Sequence, residues 1–420
     1  MKDLRAIILA AGKGTRMKSE TPKVLHPVCD KPILQYVLDI TQSIGSLKTC
    51  VVLGHKSSLV KNYLGKNMAT VIQKKLLGTA DAVRCAQPAL RNYRGQVLIL
   101  CGDTPLLKKE TVRALIAKHK RTNADCTFLT AVVEKPSGYG RIIRGDGRKA
   151  MAIREEKDAS EYEKNIAEIN VGVYCFNSDV LFENLKEIKV NEKKKEFYLT
   201  DIIEILSGKG LRVETLETDD YREGLGINSR EDLAIAESVL RQRILSDFML
   251  QGVTIIDPQT TSIDANVRIG QDTVIRPFTV IENNVRIGKN CSIGPFTHLR
   301  PGTRIGNGVE VGNFAEVSRT RLGNNSRMKH FSFLGDAEVG SNVNIGAGVV
   351  TANYDGKNKN KTQILDQAFI GSDSILVAPV RIGKKAMTGA GCVVTKGKRV
   401  PDGRIIVGVP GKILDKKGRS

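Results

Sequence analysis

Tryptophan is absent from this 420-residue chain, and aromatic residues of every kind make up only 5% of it. Histidine is scarce, at five. The eight cysteines are scattered from Cys29 to Cys392 with no CxxC pair or His/Cys cluster, so neither a zinc site nor a disulfide framework is expected. They read as reduced thiols filling small core spaces. Long apolar runs are missing too. The opening run, Ala6 to Ala11, has the length of a buried strand and falls short of a signal sequence or membrane span, as do all later ones. A cytoplasmic protein with no membrane partner is expected. The formal charge of +20 would attract anionic ligands such as nucleotides and sugar phosphates. Lys and Arg are dispersed along the chain and not grouped with aromatics, which argues against nucleic acid as a partner.

What is plentiful is glycine, at 40 residues spread along the chain, and with it tight turns. The length suits two domains. Residues 1–227 alternate short apolar runs (Ala6–Leu9, Thr49–Leu53, Gln96–Leu100, Thr127–Val133) with amphipathic stretches (Ile33–Ile44, Lys109–His119). Strand, helix and strand in that order predict right-handed crossovers and an α/β, doubly wound, Rossmann-like sheet. Residues 228–250 read as a connecting helix that serves as a spacer. Asn228 or Ser229 can cap it, and Leu233, Ala236, Val239, Leu240 and Ile244 form its apolar stripe.

In residues 251–420 the texture changes. Apolar residues recur at every sixth position from Ile269 through Ile275, Ile281, Ile287, Ile293, Leu299, Ile305 and Val311 to Val317. After one-residue slips the phase resumes at Leu322, Met328 and Leu334, at Val339 and Ile345, and from Ile364 to Val394. This is the hexapeptide signature of a left-handed parallel β-helix, each hexapeptide giving one face of a triangular prism. Glycine, which often follows the aliphatic residue, is expected at corners where a Cβ would clash. A polar stretch, Ala352–Thr362, breaks the repeat and should leave the prism as an exposed loop.

The first strand runs into Leu9-Ala10-Ala11-Gly12-Lys13-Gly14-Thr15-Arg16, followed by Pro22-Lys23. Glycines at 12 and 14 let backbone N–H groups approach a polyphosphate, and Lys13, Arg16 and Lys23 can neutralise a departing pyrophosphate. The spacing fits neither a P-loop nor the dinucleotide fingerprint. The string resembles the signature of sugar-1-phosphate nucleotidyltransferases, and the resemblance covers the first domain. It implies that Leu9, Ala10, Ala11, Gly12, Gly14, Lys23, Gln73, Gly78 and Thr79 bind the nucleotide, the last three around a uracil base. It further implies that Asp103 and Asn228 hold Mg²⁺, and that Gly140, Glu155, Asn170 and Asn228 contact the acceptor sugar. Arg16 and Lys23 are the expected catalytic cations. Gly78-Thr-Ala-Asp81 stands where the family has Gly-Thr-x-His, a change expected to be tolerated because no proton transfer is needed there.

The C-terminal repeats resemble the hexapeptide acyltransferases, and nearly the whole chain resembles the bifunctional family that joins N-acetylglucosamine-1-phosphate uridylyltransferase to glucosamine-1-phosphate N-acetyltransferase. The resemblance rests on Arg300-Pro-Gly302, Val311-Gly-Asn-Phe314, His330, Leu334-Gly-Asp-Ala337, Asn344-Ile-Gly-Ala-Gly348, Asn353-Tyr-Asp-Gly356 and Gly371-Ser372. It implies UTP, amino-sugar phosphates and acetyl-CoA as substrates, and a homotrimer with active sites at the seams between prisms. His330, whose neutral imidazole accepts a proton near pH 7, is the expected base. Glu316, Ala347, Asn353, Tyr354, Ser372 and Ala390 are expected at acetyl-CoA and the transferring acetyl group. Arg300, Ser318, Phe333, Tyr354, Asn344 and Lys359 are expected at the acceptor. The resemblance would put lysine at 318, tyrosine at 333 and arginine at 408, where this chain has Ser318, Phe333 and Gly408. Arg319, Arg321 or Lys329 are candidates to replace the missing lysine. An alternative keeps the uridylyltransferase and gives the β-helix another amino sugar or a trimerising, regulatory role.

Overall fold

The computed structural model describes residues 4–45, 48–193 and 195–414, which divide into two units, Met1–Ser238 and Val239–Ser420. Unit 1 is built on a nine-stranded sheet: β1 (Leu4–Ala10), β2 (Lys48–Leu53), β3 (Ala69–Ile72), β4 (Gln96–Cys101), β5 (Cys126–Val132), β6 (Arg141–Arg144), β7 (Ala150–Arg154), β8 (Glu168–Asn177) and β9 (Val213–Glu217). The main order is β9-β5-β8-β4-β1-β2-β3, and β6 pairs with β8 and β7. Strands β1 to β4 are mutually parallel, and β8 is antiparallel to β4 and β5. The chain winds outward from β1 to β2 and β3, then returns to place β4 on the other side of β1. Ligands of open α/β sheets sit outside the strand C-termini at such a reversal. Here that crevice lies between the ends of β1 and β4, at Ala10 and Cys101.

The strands are apolar because both faces of the sheet are covered. Ile7, Val52, Val97 and Ile99 lie in one core layer, and Ile8, Val51, Leu98 and Leu100 in the other. Helix Ile33–Ser43 buries Ile33, Leu34, Val37 and Leu38, a 3.6-residue stripe that is close to the predicted segment. The helix Arg230–Leu250 starts at a reciprocal cap, in which Ser229 Oγ accepts from Asp232 N–H (3.1 Å) and Asp232 Oδ2 accepts from Ser229 N–H (2.9 Å). Its expected role as a spacer is incomplete. Leu245 and Phe248, which the predicted stripe omitted, join the core of unit 2.

Unit 2 is a left-handed parallel β-helix with three faces of two- to four-residue strands. On the first face Ile275, Ile293 and Val311 stack in register, one coil per eighteen residues. The slips seen in the sequence are two coils shortened to seventeen, Val311 to Met328 and Met328 to Ile345. The next coil, Ile345 to Ile370, takes twenty-five because the polar insertion leaves the prism there; residues 354–359 are exposed. Every sixth-position residue from Ile269 to Val317 is buried.

The glycines that follow the inward residues stand, as expected, where a Cβ would clash. Gly288 and Gly312 are not in the left-handed region. They are needed because the next coil passes so close that an added Cβ would lie 2.6 Å from Gly306 O or 2.0 Å from Lys329 O. Left-handed corners carry other glycines, such as Gly302 and Gly308, together with Asn284, Asn290 and, unusually, Phe278, Phe296 and Phe314 (φ 53–56°). Those rings stack, with centroids 4.8 and 5.0 Å apart, and are 45–65% exposed. Stacking along the corner offsets the backbone cost.

Truncating one inward residue removes contacts from the coils above and below. Ile293→Ala is expected to cost about 2–5 kcal/mol of β-helix stability, read as a lower urea midpoint at unchanged slope.

Candidate active sites

In unit 1 the switch point opens into a cleft of about 570 Å³. On one side β1 ends and the chain turns through Gly12 and Gly14 into a single turn, Thr15–Met17, anchored by buried Met17. Gly14 has φ 61°, and a Cβ there would lie 2.8 Å from Lys23 Cβ. The loop is thus pressed onto the lysine. On the other side Gly102 N–H extends the ladder to Leu9 O (2.9 Å), which carries Asp103 to the cleft, and Asp103 O accepts from Ile227 N–H (2.9 Å). That bond brings Asn228 alongside.

Lys23 Nζ sits between them, 2.5 Å from Asp103 Oδ2 and 3.1 Å from Asn228 Oδ1. Residues 80 and 205 positions apart therefore meet at one cation. The two hard oxygens already share an ammonium, and such donors suit Mg²⁺. No group of three or more His, Cys, Asp or Glu that could hold a metal occurs among the described residues, so an ion here would draw further ligands from phosphates and water.

Gln73, also in the lining of the cleft, is buried, 4% exposed. Its amide donates both hydrogens to acceptors, to Gly78 O (3.0 Å) and Asp81 Oδ2 (2.8 Å). Its carbonyl oxygen is thereby fixed as the group left for a ligand. Asp81 thus has a definite task, where the sequence suggested only a tolerated change. Gly78 (φ 101°) is held against Phe197, whose carbonyl oxygen would lie 2.5 Å from an added Cβ, and Thr79 Oγ1 accepts from Leu199 N–H (2.9 Å).

Leu9, Ala11, Gly12, Gly14, Arg16, Lys23, Gln73, Gly78, Thr79, Asp103, Glu155 and Asn228 line the cleft together. Ala10, Gly140 and Asn170 are not among its lining. Asn170 is engaged within its own strand, accepting from Gly172 N–H (3.0 Å) and donating to Tyr174 OH (2.7 Å), while its N–H bonds Gly140 O. Arg141, next to Gly140, is 1% exposed and pairs with Glu156 at 2.7 Å. Leu76, Glu196 and Tyr198 also line the cleft and were not anticipated. Their signal was faint: an aromatic pair, Phe197-Tyr198, in a polar stretch. Burial and the surrounding carboxylates push the Tyr198 phenol up to about 12.

In unit 2, Glu316 stacks between His298 and Phe333 on the second face, and its carboxylate accepts from Arg300 Nη1 (3.0 Å). His330 is exposed and hydrogen-bonds to none of the described residues. Within one chain, then, the expected base and its assisting carboxylate are not joined. Ser318 is buried, 2% exposed, and neighbouring Arg319 donates to Ser318 Oγ (2.8 Å) and forks onto both oxygens of Asp336 (2.7 and 2.9 Å). Arg319 and Asn353 Nδ2 (2.5 Å) hold the Asp336 carboxyl below the usual range. Lys329 is paired with Glu310 at 2.7 Å. Neither cation is free to replace the missing lysine, and Arg321, the third candidate, stands on the third face between Arg304 and Glu338 while Ser318 is on the second.

Ala347, Ser372 and Ala390 occupy successive coils at one corner, linked by Asp373 N–H to Ala347 O (2.7 Å) and Gly391 N–H to Ser372 O (2.8 Å). Asn344 lies on the first face between Arg327 and Phe369. The projecting loop folds around Asp355, whose carboxyl is held well below its usual range, first by Asn358 N–H. Tyr354 OH donates to Gly356 O (2.7 Å), and Tyr354 bridges to Lys359.

A switch-point cleft with a glycine loop, a lysine and a strand-end aspartate, followed by hexapeptide coils, defines a nucleotidyltransferase joined to an acyltransferase of the hexapeptide class. Residues 5–226 match the nucleotidyl transferase family. Residues 284–319 match the bacterial transferase hexapeptide family and 364–396 the hexapeptide repeat of succinyl-transferase. The chain is 45% identical to the bifunctional protein GlmU of Shouchella clausii over 93% of both chains. It is 46% identical to that of a Geobacillus strain, over 93% of this chain and 92% of that one. Against that of Bacillus subtilis it is 43% identical, over 97% and 94%. The chain belongs to the GlmU family of bifunctional enzymes.

Burial first, and then Glu155, raise the Asp201 carboxyl to about 6; Glu155, bonded to Thr200 Oγ1 (2.8 Å), is itself raised by burial. Removing the Glu155 charge relieves repulsion of ionised Asp201. In Glu155→Gln the Asp201 midpoint, followed by carboxyl carbon NMR, should therefore move down from about 6. A midpoint that stays in place would separate the two groups.

Proposed function

We propose that unit 1 transfers the uridylyl group of UTP to N-acetylglucosamine-1-phosphate, and that unit 2 forms that acceptor by acetylating glucosamine-1-phosphate from acetyl-CoA. The first assignment rests on one observation, the convergence of the glycine loop, Lys23, Asp103 and Asn228 in one cleft. A phosphate oxygen of the sugar attacks the α-phosphorus in line. The bond to the β-phosphate breaks, and its electrons leave on pyrophosphate. Such chemistry needs position and charge neutralisation more than a base. The loop amides near Gly12 and Gly14 hold the phosphates, and Arg16 and Lys23 take up the charge of the leaving group. Asp103 and Asn228 would hold Mg²⁺, which when bound neutralises phosphate oxygens. Glu155, in the lining of the same cleft, accepts from a sugar hydroxyl.

In unit 2, His330 takes a proton from the acceptor ammonium, the amine attacks the thioester carbonyl, and coenzyme A leaves as its thiol. Asn353 and backbone amides steady the oxyanion. We infer a homotrimer, supported by the exposed phenylalanine ladder and by a His330 without a hydrogen-bond partner among the described residues of one chain. We also infer a cytoplasmic location, consistent with eight free thiols. One observation favours a second reading of unit 2. With Ser318 buried and Arg319 held by Asp336, the phosphate clamp is one cation short, so an amino sugar without that phosphate is the alternative acceptor.

Two assays test the assignment in the intact protein. Asp103→Ala should abolish pyrophosphate release from UTP and leave thiol release from acetyl-CoA unchanged, and His330→Ala should do the reverse. No thiol release above blank with glucosamine-1-phosphate would remove the acetyltransferase assignment, and release with glucosamine instead would select the second reading.

The fixed Gln73 amide yields a separate prediction. Its carbonyl oxygen accepts from the N3–H of uracil, whereas cytosine has only an acceptor there. Asp81→Ala frees the amide to turn, so the kcat/KM preference for UTP over CTP should fall about tenfold. An unchanged ratio would mean Asp81 does not orient Gln73.

A further inference from the structure

The outward positions of the third β-helix face form one continuous row. Arg268, Arg286, Arg304 and Arg321 are cross-strand neighbours on four successive coils. Below them come Glu338 and Gln363, then Arg381 and Arg399. The first four are exposed, and none forms an ion pair or side-chain hydrogen bond with another described residue. Beside this column runs a column of glycines, Gly270, Gly288, Gly306 and Gly323, where the tight approach of adjacent coils forbids a side chain. The arginines therefore border a side-chain-free trough, which opens into a concavity of about 280 Å³ along Arg304, Gly306, Arg321 and Gly323, while a second concavity of about 630 Å³ follows Arg268, Arg286 and Arg304 on the side of Asn266 and Asn284.

Such a column is costly. Parallel strands lie about 4.7–4.9 Å apart, and like charges facing one another across strands repel. The prism does not impose the repeat, because the corresponding rows differ. The first face carries Val274, Ser292, Glu310 and Arg327, and the second carries Val280, His298, Glu316 and Phe333. Neither row is an acidic ladder, so a second β-helix offers no matching face.

We propose that this arginine column binds an acidic α-helix of a partner protein, one that presents a carboxylate on the same face at every turn. The helical pitch of about 5.4 Å is close to the coil spacing. Over three steps the mismatch is about 2 Å, within the reach of a guanidinium on its flexible stem. Arginine suits the task, since its planar fork takes a carboxylate with two parallel bonds and never loses its charge. The trough receives the helix body. A single nucleic-acid strand is disfavoured, because no aromatic residue stands in the row from Arg268 to Arg399 for bases to stack on.

The probe is a labelled helical peptide with one glutamate per turn on one face, titrated by fluorescence anisotropy into the intact protein. A peptide of equal composition and helicity, with its glutamates distributed around the helix, is the control. The one-faced peptide should bind at least about tenfold more tightly, with affinity falling as salt rises. Arg286→Ser combined with Arg304→Ser should remove about tenfold or more of that affinity. Circular dichroism and both transferase activities should be unchanged, which separates loss of the surface from misfolding and from any failure of the enzymatic assignment. Equal binding of the two peptides would overturn the proposal, as would tighter binding of duplex DNA or polyphosphate, or retention of affinity by the double variant.

Discussion

The position of Lys23 is the constraint on which the N-terminal site depends. An ammonium held by both Asp103 and Asn228 is stable only if three chain segments arrive together. The first is the loop after β1, pressed onto Lys23 at Gly14. The second is the end of β4, kept in line by the bond from Gly102 to Leu9. The third is the segment before the cap at Ser229, tied to Asp103 by Ile227. The strand order supplies the crevice and these backbone bonds supply the aim. The same arrangement explains how a site can bind a highly charged nucleotide without a cluster of acids. In the proposed reaction two oxygens and a lysine form a small set that the phosphates themselves would complete.

A second constraint, stacking at one coil per eighteen residues, governs the C-terminal unit. Whatever is written at one position is placed directly above its equivalent a coil later. Aliphatic residues at the inward position become a continuous core, and glycine at the tight position becomes a side-chain-free column. Phenylalanine at one corner becomes a stacked ladder that tolerates a left-handed backbone. The rule has no regard for sign of charge, so arginine at the third-face position becomes a line of like charges. Its persistence over four coils, when neighbouring rows vary, is what gives the line meaning.

How much was legible in the sequence follows from how local each feature is. The inward residues were readable because the period alone determines them, and even the slips were visible as lost phase. The glycine loop and Asp103 were readable because each ends a strand. Glu196 and Tyr198 were not, since they reach the cleft only through the packing of Phe197 against Gly78, far away in sequence. Arg319 looked available because its partner Asp336 lies one coil further on, a neighbour across the fold only. The basic residues read as dispersed because they are so along the chain. Seventeen or eighteen residues of separation become one rung in space.

The two sites also differ in how complete one chain makes them. In unit 1 the residues expected at the phosphates and the base, Ala10 excepted, share one cleft. In unit 2 the expected base has no hydrogen-bond partner among the described residues and the expected carboxylate is bound to Arg300. The geometry of stacking accounts for the difference. A flat prism face displays side chains in parallel rows, so groups on different rows do not close around a substrate. A site made from such rows needs a second surface laid against them. The doubly wound sheet has no such need, because the reversal in its winding already provides two walls.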